Sequence, residues 1–115
     1  FEPHFKRNYL HVRDAAQAFV HTMDNYSKMV GEPFNVGLSD ANLSKKELCD
    51  RIKIEIPNFQ YVISEIGKDP DQRDYIVSNE KIEATGFKTK TSLNEGIQEL
   101  IKSFQIIRRN QFSNI

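Results

Sequence analysis

Residues 7–16 read Arg7-Asn8-Tyr9-Leu10-His11-Val12-Arg13-Asp14-Ala15-Ala16. The hydrophobic pattern changes within this stretch. Asn8 to Val12 has the composition of a short strand or extended entry. From Arg13 onward the periodicity is helical. Ala15, Ala16, Phe19, Val20 and Met23 recur at helical spacing and predict a single apolar stripe. Asp14 falls in the first turn, where a negative charge suits the helix dipole. The stripe fades at Asp24-Asn25, and Gly31 follows in a loop.

Downstream the alternation continues. Glu32 to Gly37 reads as a short buried strand, and Ser39 to Asn42 as loop. Ser44 and Glu47 then form a capping box, with Leu43 and Leu48 placed for a hydrophobic staple. Leu48, Cys49, Ile52 and Ile56 are expected to face inward, and Pro57 ends this helix. Phe59 to Ile66, rich in aromatic and β-branched residues, predicts another strand. Residues 67–73 are polar loop, and Asp74 to Val77 is extended. Ser78 to Thr85 is a short helix closed by Gly86 in a left-handed cap. Ser92 and Glu95 make a second capping box ahead of the stripe Leu93, Ile97, Leu100, Ile101 and Phe104. The expectation is a small mixed α/β domain of about four helices and short strands over residues 1–107. A polar tail, 108–115, follows and should fray.

Composition narrows the function classes. With 115 residues there is room for one domain. Lys+Arg and Asp+Glu are both 16, which argues against a general binder of nucleic acid or of a membrane surface. No apolar run approaches the ~20 residues of a bilayer span. Phe1-Glu2-Pro3-His4 lacks the apolar core of a secretion signal. The single cysteine, Cys49, excludes an internal disulfide and suits a reducing compartment, so the expected location is cytoplasmic. Hydrophobic residues make up only 38%, a lean core that suggests packing surface elsewhere.

The common chemical motifs are missing. There is no Gly-rich phosphate loop or dinucleotide fingerprint. His4, His11 and His21 have no partner at metal-ligand spacing. The run from Asp69 to Glu80 faintly resembles a calcium loop, but Asp74 stands where glycine is needed and Arg73 replaces an oxygen ligand. Cys49 reads as a buried structural thiol. Two arginines remain, Arg7 before the first strand and Arg73 before an extended segment. A side chain at such a transition can reach over a cleft. A guanidinium fork suits paired phosphate oxygens, although on composition alone a plain surface ion pair near Asp or Glu is the better explanation of either arginine.

The segment Arg7 to Ala16 resembles the one that opens the substrate-binding part of extended short-chain dehydrogenase/reductases, the NAD-dependent nucleotide-sugar epimerases and dehydratases. Further matches follow in order: Phe34-Asn35-Val36-Gly37, Leu43-Ser44-Lys45-Lys46-Glu47-Leu48, Asp71-Gln72-Arg73, Lys81-Ile82, Gly86-Phe87, and Ser92 to Ile97. The resemblance runs from about Arg7 to Phe104. It implies that Arg7 contacts the nucleotide diphosphate and that Arg73 contacts the diphosphate or the ribose. It places Asn35 near the ends of a parallel sheet in a supporting role. At Ser78 the family usually has Asp; serine can still cap the helix, but any contact of that carboxylate is put in doubt.

The resemblance also implies parts that these residues lack. The family's dinucleotide fold, with its Gly-rich turn, and its Tyr-x-x-x-Lys pair come earlier in the chain. None of Tyr9, Tyr26, Tyr61 and Tyr75 has a lysine four residues on. The expectation is therefore a C-terminal substrate-binding fragment. It would hold a nucleotide-diphosphate sugar while a missing N-terminal half, loaded with NAD or NADP, does the redox chemistry. Epimerase is favoured slightly over dehydratase. Alone, the chain should bind no cofactor or metal and carry no catalytic residue. Its exposed apolar surface, above all the strand from Phe34 to Val36, would favour homo-oligomers. The alternative is a stand-alone, non-catalytic α/β module that binds a nucleotide or a protein.

Overall fold

Two asparagines facing each other across a short antiparallel pair hold the middle of the chain. Strand β1 (Lys6–Asn8) pairs with β2 (Asn42–Ser44), with Lys6 opposite Ser44, Arg7 opposite Leu43 and Asn8 opposite Asn42. The computed structural model describes residues 1–68 and 70–107; the polar tail 108–115 and Asp69 lie outside them. Helices α1 (Val12–Asp24) and α2 (Tyr26–Met29) separate the strands. Helices α3 (Lys45–Glu55), α4 (Glu80–Glu83) and α5 (Leu93–Ile106) follow β2. The fold is a small mixed α/β arrangement of five helices and this two-stranded sheet among the described residues.

The asparagines extend the sheet by imitating backbone. Asn8 Oδ1 accepts from Leu38 N at 2.9 Å, and its Nδ2 donates to Leu38 O at 2.8 Å. Asn42 treats Val77 in the same way, accepting from its N at 2.9 Å and donating to its O at 3.0 Å. Asn8 Nδ2 also donates to Asn42 Oδ1 at 3.2 Å. Two irregular segments, around Leu38 and Val77, are thus tied to the strands without ladders of their own. The ties satisfy the N–H groups of Leu38 and Val77 and the carbonyl of Val77, while the Leu38 carbonyl also accepts from Ala41 N at 3.0 Å. Glycine is needed at 37 because a Cβ there would overlap the Asn8 amide.

Helix α1 begins at Val12. His11 is its N-cap, and His11 Nδ1 accepts from Arg13 N at 3.1 Å. Asp14 does more than suit the dipole. It is only 2% exposed, and its two carboxylate oxygens accept from Lys90 N and Thr91 N, each at 3.0 Å. That fixes the segment leading into α5. Both predicted capping boxes are present, Ser44 with Glu47 and Ser92 with Glu95. Helix α3 ends one residue before its C-cap Ile56, ahead of Pro57. Gly86 closes the α4 turn at φ +94°, where a side chain would be strained. Ala18, Met29, Ile82 and Phe87 form the core, with Phe34 and Val36 packed against it.

Several elements differ from the sequence reading. Residues 59–66 form no strand. Nothing pairs with them, and β-propensity without a partner does not make a sheet. Tyr61 OH donates to Asp50 Oδ1 at 2.6 Å and ties that segment to α3 instead. Residues 32–37 belong to no strand and lie outside any ladder. The first strand lies at Lys6–Asn8, earlier than Asn8 to Val12, and Asn42 belongs to β2 and not to a loop. A one-turn helix, α2, follows Asn25, whose Nδ2 donates to His21 O at 2.9 Å. Helix α4 starts at Glu80 with Asn79 as N-cap, so Ser78 does not cap it. The predicted stripe of α1 faces outward: Phe19 is 76% exposed and Met23 69%. The buried residues of that helix are Asp14 and Ala18.

Gly37→Ala should destabilise the chain by about 1–3 kcal/mol, the usual cost of overpacking. Asn8→Ala should cost a similar amount through the Leu38 N–H it leaves unpaired and the lost bond to Asn42. Because one change removes the obstacle met by the other, the double variant should be more stable than the two losses added together predict. Urea titration of all four proteins measures this, and strict additivity would contradict the packing described.

Candidate functional site

Arg7 and Arg73 meet at one carboxylate, that of Asp71. Arg7 is the central residue of β1, and its side chain is 15% exposed. Its Nη1 donates to Lys6 O at 2.8 Å and also to Arg73 O. Its Nη2 donates to Asp71 O at 2.9 Å and lies 3.3 Å from Asp71 Oδ2. The guanidinium sits over the Tyr75 ring, 5.3 Å from its centroid. Most of the fork that could grip a ligand is therefore turned on the carbonyls of residues 71–73. One residue earlier, Lys6 N donates to Asp74 Oδ1 at 2.8 Å. Together these contacts lay the 71–75 segment along β1.

Arg73 is placed differently. Its side chain is 73% exposed. Its Nε donates to Asp71 Oδ1 at 2.6 Å and its Nη2 to Asp71 Oδ2 at 2.8 Å, a two-pronged pair. Arg73 N also donates to Asp71 Oδ1 at 3.3 Å, closing an Asx-type turn. The Arg73 hydrogen bonds, helped by the nearby Arg7 charge, hold the Asp71 carboxyl well below the usual carboxylate range. The same pairing raises the Arg73 guanidinium pKa. Burial pushes the Tyr9 phenol up, opposed by the charge of Arg7.

Asn35 is joined to Ser78, five residues beyond Arg73. Asn35 is exposed, and its Nδ2 donates to Ser78 O at 3.4 Å. No parallel sheet exists among the described residues for Asn35 to terminate. Asp71 stands in the Asp-x-Arg step of the sequence, with no role implied for it there. The two-residue spacing of an aspartate and an arginine was the signal for a local pair. Asp74 and Tyr75 carried no comparable signal, because their partners on β1 are nearly 70 residues away.

This arrangement can hold an anion by charge-assisted hydrogen bonds. It offers no nucleophile with a base beside it. Among the described residues no cluster of His, Cys, Asp and Glu could hold a metal ion. They also do not fit a dinucleotide, since the sheet is an antiparallel pair and no Gly-rich turn leads from a strand into a helix N-terminus. No helix in them is long and apolar enough to cross a membrane.

A carboxyl held low by its partners adds stability above its unfolded pKa, ~3.9. That contribution is lost as pH falls through the folded pKa. The Asp71 carboxyl carbon, followed by NMR, should stay ionised when exposed aspartates have titrated. Arg73→Ala should return its midpoint toward the ordinary value, and Arg7→Ala should move it less. A wild-type midpoint near 3.9 would mean that the pair does not persist in solution.

No family model matches the chain. It is similar to Probable GDP-L-fucose synthase 1 of Oryza sativa subsp. japonica, with 36% identity over 97 residues. Those residues make up 84% of this chain and 28% of the relative, so the chain spans little more than a quarter of that relative's length.

Proposed function

We propose that this chain is the substrate-binding part of a nucleotide-sugar epimerase or dehydratase of the extended short-chain dehydrogenase/reductase type. In this reading Arg73, on the loop laid down by Arg7, holds the nucleotide diphosphate. The observation that carries it is the convergence of Arg7 and Arg73 on one loop, with the Arg73 guanidinium at the surface. The likeness to a probable synthase of a nucleotide sugar supports the substrate class. The rest of the complete enzyme would bind NAD or NADP and carry the redox chemistry. These residues would contribute binding energy and orientation, which bring the sugar to the reacting groups. Asn35 and Ser78 would support the site through the bond between them.

The apolar surface fits a part that packs against more protein. Phe19, Met23 and Val20 are exposed along α1, and Phe34 and Val36 border the same face without a ladder partner. A free-standing binding module would be expected to cover such side chains. In isolation the same surface would favour self-association.

Calorimetric titration with a nucleoside diphosphate sugar tests the reading. Arg73→Ala should weaken binding about tenfold or more, the worth of a charge-assisted hydrogen bond. Unchanged affinity would take Arg73 out of the site.

A further inference from the structure

His11 is placed so that only one protonation state satisfies its neighbours. As the N-cap of α1 it accepts from Arg13 N at Nδ1, 3.1 Å away, and a backbone N–H can only donate. Nδ1 therefore carries no proton. The proton of the neutral ring is on Nε2, which lies 3.1 Å from Glu99 Oε2 of α5. A carboxylate only accepts, so both contacts select the same tautomer. We propose that His11 is an acid-operated latch between α1 and α5: a second proton releases the cap of α1 while the bond to Glu99 is kept.

The second proton has one place to go, Nδ1, where it would face the Arg13 N–H. An imidazolium has two donors and no acceptor, so the cap bond cannot survive. Arg13 N is one of the N–H groups that the start of a helix leaves without an intrahelical partner, and it then turns to water. The other nitrogen gains, because the bond to Glu99 becomes charge-assisted. The groups around the ring allow these two states. From α5, Glu99 faces Nε2, and Gly96 lies beside Cδ2 and brings no charge. The Glu99 carboxyl is held low by Arg13 and by His11 itself, so it remains an anion. From α1, the Arg13 guanidinium shares Glu99 at 3.1 Å and, with the positive end of the helix, opposes a charged ring. Asp14 is turned to Lys90 N and Thr91 N, and Glu95 to its capping box with Ser92. From α3, apolar Leu48 and Ile52 line the same cavity as the ring. Tyr9 lines it too, and its phenol, pushed up by burial, stays neutral. The His11 side chain is 14% exposed, enough for a proton to reach it from water.

The test follows this chain by NMR from pH 8 to pH 5, the range in which imidazoles titrate. The His11 ring nitrogens report the tautomer and the titration. Solvent exchange of the Arg13 amide, relative to its intrinsic rate at each pH, reports the cap. At pH 8 the ring should carry its proton on Nε2. As the ring titrates, protection of the Arg13 amide should fall about fivefold, the worth of an N-cap, with the same midpoint. In His11→Asn, where asparagine caps without titrating, protection should stay level across the range. A neutral ring protonated on Nδ1, or a ring still neutral at pH 5, would overturn the latch. So would a ring that titrates while Arg13 protection stays constant. A step that persists in His11→Asn would belong to another group and would overturn it as well.

Discussion

The pairing of Asn8 with Asn42 is the constraint on which the rest of the molecule depends. A three-residue antiparallel pair has too little backbone to stand alone. Here each asparagine adds a further two-bond tie, one to Leu38 and one to Val77. The short sheet thereby becomes the meeting point of four chain segments. Gly37 has to be glycine for the first tie to close. The second tie anchors the C-terminal end of the segment that carries Asp71, Arg73 and Tyr75. Asp14 performs a related task in the first turn of α1, where its buried carboxylate receives two backbone N–H groups ahead of α5. In each place a polar side chain substitutes for missing secondary structure.

That division of labour shapes the site. The segment 71–75 has no helix or strand to hold it. It is held at Val77 by Asn42, and at residues 71–74 by Arg7 and Lys6 from β1. Arg7 is thus a positioning residue as much as a candidate ligand, since its donors are occupied by carbonyls and by Asp71. Arg73, most of which faces solvent, is the group with freedom to change partners. Two residues with one expected role from sequence have two physically different situations in the fold.

The local features of the fold were legible. Capping boxes, the glycine cap at 86 and the proline stop at 57 depend on neighbours within a few residues, and all are where the pattern placed them. Strands were less legible, because a strand needs a partner and the partner is not written locally. Phe59 to Ile66 has strand-like composition and no partner. Asn42 is a poor strand former, yet it lies in β2 because its side chain is used in the pairing. Helical spacing found the α1 stripe but could not say which way it faces. Asp14 and Ala18 turn inward, and Phe19 and Met23 turn out. Of the site, the two arginines were visible as residue types. Their convergence on Asp71 was not, because it joins residues more than sixty positions apart.

The outward apolar face of α1 and the surface arginine fit one account, in which these residues hold a nucleotide diphosphate for chemistry carried out by more of the polypeptide. The measurement that tests it most directly is a map of backbone amide shifts in this chain during titration with a nucleoside diphosphate sugar. The account predicts saturable shifts centred on Arg7 and on residues 71–75, with little change at Asp14 or along α5. Shifts centred elsewhere, or none at millimolar ligand, would contradict it.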